Sequence, residues 1–201
     1  METLDTPGKP AVFSAVRETI LERALALFAA KGYESVGIQE LTVASGITKP
    51  SLYYHFGSKQ GLLETIIREK GDALREIFRE ETEYRHNLTN NLMGLFQGTL
   101  RVARNQPEFF RFLLSCFSSA PENAAYTASA PLRGELAALL EGLFAAAVLD
   151  HGNMRDRQRI YAETFFGLLE TWALLAVNGE IEVNPPTEYR IVHQFMHGIF
   201  S

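Results

Sequence analysis

At 201 residues, with 46% hydrophobic and 21% charged side chains, the chain can bury a sizeable core, and its globular balance excludes an intrinsically disordered or fibrous protein. A single cysteine, Cys116, excludes an intramolecular disulfide framework and suits a reducing cytoplasm. The net charge of −5 argues against a protein that coats nucleic acid regardless of sequence.

The charge is unevenly spread. Residues 1–70 hold eight Lys/Arg and eight Asp/Glu, so the whole deficit lies in 71–201. Residues 41–63 contain no acid, yet they carry Lys49, His55 and Lys59. A local basic patch on an acidic chain fits a compact DNA footprint. The polar start, with Glu2, Asp5 and Lys9, lacks the pattern of a secretory signal. The most apolar stretch, 136–149, is interrupted by Glu141 and Gly142 and is too short to cross a bilayer, so no membrane association is expected.

The hydrophobic periodicity is helical almost throughout. Val16, Ile20, Ala24, Leu27 and Phe28 mark one face of a first helix, with Ser14 as its cap and Gly32 as its stop. A second helix is expected over 37–45, with Ile38, Leu41 and Ala44 inward, before Gly46 turns the chain through a left-handed conformation. Thr48 caps a third short helix with Pro50 in its first turn; Gly57 ends it, and Ser58 caps a fourth that runs through Phe78. Further helices are expected over 87–105, from Pro107 to before Pro121, over 132–149, over 154–177 and over 187–200. The stretch 121–131 reads as a loop or broken helix, His151-Gly152-Asn153 as a break, and Asn178-Gly179 and Pro185-Pro186 as the brackets of a last loop. The fold class is all-α, with a three-helix helix-turn-helix head over 14–74 and a larger helical bundle over 75–201.

Within the third helix, Leu52 and Phe56 lie four apart and share the face that must anchor it to the head's core. Lys49, Pro50, Ser51, Tyr54 and His55 are left at the tip and on the opposite face, the geometry for entering a major groove. Lys49 could donate to a guanine edge or a phosphate, and Pro50 and Tyr54 could touch a thymine methyl. Lys59 sits at a helix N-terminus, where free N–H groups also attract phosphate. Gln39 faces outward on the second helix, in reach of the DNA backbone or idle on the surface.

The run Leu52-Tyr53-Tyr54-His55-Phe56-Gly57-Ser58-Lys59, placed after Gly46 and preceded by Ala24, Phe28 and Lys31-Gly32-Tyr33, resembles the helix-turn-helix of the TetR family of regulators. The motif is specific; the helix-turn-helix itself spans 37–56, and the resemblance covers about a third of the chain, roughly 14–74. It implies that Tyr53 and His55 join the DNA-contacting set as donors to phosphate; Thr48, at the cap of the third helix, is counted in the same set. Other readings stand beside these: Tyr53 packed against the first helix, His55 satisfied at a helix end, Lys59 a solvated lysine. Two positions depart from the family pattern. Thr42 stands where alanine is usual, and Val36-Gly37 replace a hydroxyl pair that often touches phosphate.

Residues 107–117 are apolar nearly all round, which demands either burial on every side or the lining of a cavity. Phe165, Phe166, Leu168, Leu169, Trp172, Leu174 and Leu175 likewise wrap another helix, with Gly167 permitting a close approach. One bundle face cannot absorb that surface. The resemblance implies a homodimer through the last two helices, about 154–177 and 187–200, on a palindromic duplex operator. A candidate effector pocket has Phe109, Phe112, Cys116, Phe117 and Trp172 as walls and Glu170 as an anchor for a ligand's donor or cationic group. For Glu170 a salt bridge to an arginine and a solvated edge position compete with that role, and Cys116 reads as a small buried hydrophobe rather than a sensor thiol.

His193 and His197, four apart, could share a metal, but no third ligand stands beside them in the sequence, so neither metal nor cofactor is expected. No Gly-rich phosphate loop and no Ser/His/Asp spacing supports an enzyme. The reading is a cytoplasmic, sequence-specific DNA-binding transcriptional regulator, a repressor released by a small apolar or aromatic effector. The alternative is a helical small-molecule carrier or an enzyme built on the bundle.

Overall fold

The structure, a computed structural model, describes residues 9–198. The helices are α1 (Lys9–Lys31), α2 (Ile38–Ser45), α3 (Lys49–Phe56), α4 (Lys59–Glu81), α5 (Leu88–Asn105), α6 (Pro107–Phe117), α7 (Ala124–Ala147), α8 (Gln158–Val177) and α9 (Pro185–His197). One 3₁₀ turn, Gly152–Met154, separates α7 from α8, and no strand occurs among the described residues. The all-α expectation holds.

Capping chemistry places most of the ends. Thr48, Ser58, Asn87 and Asn184 each accept a hydrogen bond from a backbone N–H in the first turn of the helix they precede. Gly46, at φ 64°, closes α2 in the left-handed conformation and aims α3 away from it.

Several expected boundaries move. α1 runs back to Lys9, so Ser14 is an exposed interior residue rather than a cap; Pro10 stands in the first turn, where its missing N–H costs nothing. Gly37 caps α2 instead of opening it, and Ala44 is exposed. α7 starts at Ala124 and carries Pro131 inside it, where a loop is expected. The buried stripe Ala125, Ser129, Leu132, Leu136, Leu140 and Leu143 continues through that point at helical spacing, while Pro131 itself faces out. Packing of the stripe outweighs the one hydrogen bond that proline removes. Met154 belongs to the 3₁₀ turn, and α8 begins only after Asp156 at φ 64°. Pro185 and Pro186 form the first turn of α9; Ile199 and Phe200, part of the expected final helix and dimer surface, lie outside the described residues.

α1, α2 and α3 pack with the start of α4 around Ile20, Ala24, Phe28, Leu41, Leu52, Phe56 and Leu62, all buried. α4 then runs without a break into the bundle, where Leu74 and Phe78 are buried. Gly98 of α5 lets α4 approach: a Cβ there would fall 2.3 Å from Ile77 Cγ2. Gly167, expected to serve such an approach, meets nothing among the described residues within 4 Å of where its Cβ would stand. α6 lies between the two groups of helices, packed on α1, α5, α7 and α8.

Candidate nucleic-acid interface and buried cavity

Leu52 is fully buried and Phe56 nearly so, which fixes α3 to the head and turns its other side outward. Lys49 and Pro50 are exposed, and Tyr54 is 78% exposed. Lys49 Nζ lies 5.7 Å from the centre of the Tyr53 ring, which is itself at the surface. Thr48 caps α3 by accepting from Ser51 N at 3.4 Å, which leaves its O–H free to donate elsewhere. His55 is half-buried, its ring beside those of Tyr54 and Phe56. Gln39 is exposed on α2.

Lys59 is not a freely solvated lysine. Its Nζ sits 4.1 Å above the Tyr33 ring at the N-terminus of α4. Burial lowers its pKa from the ordinary lysine value, opposed by the charge of Glu34. The head is braced behind this surface: Arg17 of α1 bonds Glu69 of α4 and lies over Phe56, Lys70 pairs with Glu18, and Lys31 pairs with Glu40. Three of the acids of the head, Glu18, Glu40 and Glu69, are thus paired with cations of other helices, while Lys49 stands at the exposed tip of α3. Of the departures from the family pattern, Thr42 spends its hydroxyl on the Gln39 carbonyl at 2.8 Å, and Val36 is a core residue at 1% exposure.

A cavity of about 20 Å³ lies among α4, α5, α6, α7 and α8, room for about one water. Phe117 and Glu170 line it as expected. The other expected pocket residues go elsewhere. Phe109 and Cys116 are core, each 1% exposed; Phe112 points to α1 and stacks on Phe28 with ring centres 6.0 Å apart; Trp172 lines a groove between α8 and α9. An all-round apolar helix presents different rings to different neighbours, so one list of aromatics along α6 and α8 divides among three sites. Burial pushes the Cys116 thiol up to about 12, consistent with a packing role.

Glu170 makes no salt bridge among the described residues. Arg133, whose charge acts on Glu170, bonds Glu163 at 2.9 Å. Glu170 Oε1 is buried without a hydrogen-bond partner, and its carboxyl is raised above the usual carboxylate range by burial, opposed by Arg133 and reinforced by Glu163. Thr99, absent from the expected set, lines the same cavity with its Oγ1 also buried and unbonded. It was visible in principle as the polar member of the stripe Leu92, Leu95, Phe96, Thr99 and Ala103.

The groove between α8 and α9, about 400 Å³, is walled by Leu168, Trp172, Ile191 and Phe195. α8 has the length and apolarity of a membrane-spanning helix, yet Ala162, Phe165, Phe166, Leu169 and Ala173 are packed into the bundle. Only 28% of its most apolar window is buried within the single chain. The His193 and His197 rings lie 4.2 Å apart on α9, and no group of three His, Cys, Asp or Glu suited to a metal forms among the described residues.

Residues 20–66 match the family model described as bacterial regulatory proteins, tetR family. The chain is 28% identical over 102 residues to the HTH-type transcriptional repressor KstR2 of Mycolicibacterium smegmatis, which is 51% of this chain and 48% of that one. It is 41% identical over 79 residues to the HTH-type transcriptional repressor BdcR of Escherichia coli, 37% of this chain and 39% of that one. The chain therefore matches less than half the length of these relatives. Among solved structures, transcriptional regulator FadR from Bacillus subtilis in complex with stearoyl-CoA superposes with a TM-score of 0.71 at 12% identity, over 90% of this chain and 98% of that one, a likeness of fold.

Proposed function

We propose that this chain, which belongs to the TetR family of bacterial regulatory proteins, is a cytoplasmic one-component repressor that binds a palindromic duplex operator as a homodimer and leaves it when a small apolar effector enters its bundle. The observation that carries this is the α3 tip: Lys49, Pro50 and Tyr54 exposed on a helix whose Leu52 and Phe56 are locked into the core. In this reading the head, 14–74, reads DNA and the bundle, 75–201, binds effector and partner. Lys49 and Tyr54 meet base edges; Gln39, Thr48, Ser51, Tyr53, His55 and Lys59 hold the phosphates.

One such helix reads only a few base pairs, so useful specificity requires two. The uncovered apolar surface of α8 and the groove it forms with α9 supply the face for a second copy. Effector coupling runs through α6. Its Phe110, Leu113 and Phe117 line the cavity, while Phe112 on its other side stacks on Phe28. Phe28 in turn meets Tyr33 edge-on at 5.1 Å, and Tyr33 carries Lys59. At about 20 Å³ the cavity is too small for any organic effector, so a ligand that occupies it must shift α6 and with it α1. Differential affinity of ligand for the expanded state then lowers affinity for DNA.

The test is selection of binding sites from a random duplex pool with the full-length protein. A two-fold symmetric consensus that Tyr54→Ala fails to enrich is the expected result. No enrichment over unselected duplex by the wild type removes the reading.

A further inference from the structure

The cavity beneath α6 contains two buried polar atoms with nothing to bond, Thr99 Oγ1 and Glu170 Oε1. Thr99 is 4% exposed, so bulk water does not serve it. Buried groups of this kind are rarely left unpaired unless something else pairs with them. The nine other lining residues are all leucine or phenylalanine, and four of them, Phe78, Phe110, Phe117 and Phe166, are aromatic. Among the described residues no Lys, Arg or His lines the space. Arg133, the guanidinium that Glu170 feels, is held by Glu163 and by the Phe166 ring at 5.0 Å.

The chemistry lacking here is a set of hydrogen-bond donors with positive charge. Glu170 can only accept when ionised, Thr99 can accept as well, and aromatic rings attract a cation through their faces. An anionic ligand would meet the Glu170 carboxyl and find no cation to bind it. An uncharged alcohol offers a single donor. We propose that the effector is a lipophilic amine, bound as its ammonium, which donates to Glu170 Oε1 and Thr99 Oγ1 while its apolar body lies among Phe110, Phe117 and their neighbours. The inference rests on the effector reading above and names the ligand class for it. Burial favours the neutral form of the carboxyl, and an ammonium beside it offsets that preference.

The experiment uses the full chain with three probes of one shape: 2-phenylethylamine, 2-phenylethanol and 3-phenylpropanoate. Binding is read by calorimetry, and release by competition from a duplex selected as above. The amine binds at least tenfold more tightly than the alcohol, and the carboxylate gives no heat. Glu170→Gln removes the preference for amine over alcohol, and Thr99→Val reduces it several-fold. Equal binding of amine and carboxylate, an amine preference that survives Glu170→Gln, or no binding of any probe overturns the proposal. The wild-type probe series decides even if a variant fails to fold. Release of DNA by the carboxylate alone removes the amine class and leaves effector release standing. Amine binding that leaves the duplex complex intact supports the class and removes effector release.

Discussion

In the proposed reading Lys59 and Tyr54 make different demands on DNA, so their substitutions should separate affinity from specificity. Lys59 offers a charge whatever the base sequence, so Lys59→Ala should weaken binding to operator and random duplex alike and lower the salt dependence by about one ion. Because its ammonium also covers the Tyr33 ring, some thermal stability should fall with it. Tyr54, exposed at the tip of α3 and proposed to meet a base edge, should when changed to Ala reduce discrimination against a mutated operator by about 1–3 kcal/mol. A salt titration by fluorescence anisotropy measures both; an unchanged slope for Lys59→Ala ends its phosphate role. Glu170 makes a prediction of the opposite kind. Its folded pKa is raised, so the folded chain holds this proton more tightly than the unfolded chain does. Stability from this group therefore falls as pH rises above the ordinary carboxylate range, until the folded carboxyl has ionised. Glu170→Gln should match the wild type near about pH 4 and exceed it near about pH 8 in urea midpoint. A variant less stable at the higher pH contradicts the assigned shift.

At the scale of elements, α7 and α6 show packing overruling local preference. α7 accepts Pro131 at the cost of one backbone hydrogen bond because its buried stripe extends on both sides. Pro131→Ala should stabilise the protein by roughly 1–3 kcal/mol, the helix-interior penalty less the stiffness proline gives the unfolded chain. Equilibrium denaturation checks this, and a loss of stability would show that Pro131 has a packing duty of its own. α6 is the element where cavity and head meet back to back. Phe112→Leu keeps the site apolar but removes the ring that stacks on Phe28. It should leave probe binding to the cavity within about twofold while raising the ligand concentration needed for DNA release by about tenfold, a coupling change of about 1.4 kcal/mol. Parallel loss of both would mean the substitution simply unsettles the core.

For the whole molecule, the deciding property is the apolar surface of α8 left unburied among the described residues. Leu168 and Trp172 stand on the side of α8 that faces the α9 groove, whereas Leu174 falls on the side of Glu170, four residues away. Phe195 is a poor probe of assembly, since its ring packs 4.9 Å from Phe165 inside the chain. Leu168→Arg should therefore yield a folded monomer at micromolar concentration and lower operator affinity at least a hundredfold, as read by sedimentation and anisotropy. A wild type that sediments as a monomer removes the dimer.

The all-α class, the order of the helices and the division of α3 into a buried side and an exposed tip were legible in the sequence because they rest on local rules. Helical spacing set the faces, Thr48, Ser58 and Gly46 marked ends and a turn, and Leu52 with Phe56 divided α3 into an inner and an outer side. What became of the aromatic residues was not local. Phe112, Phe117 and Trp172 look alike in a periodic pattern, yet one stacks on the head, one lines a cavity and one walls a groove. Thr99 and Glu170, 71 positions apart, share a cavity only because α5 and α8 pack side by side. Spacing along one helix fixes which side a residue takes; which neighbour waits on that side, and whether it leaves a polar atom unpaired, is decided by the tertiary packing of five helices.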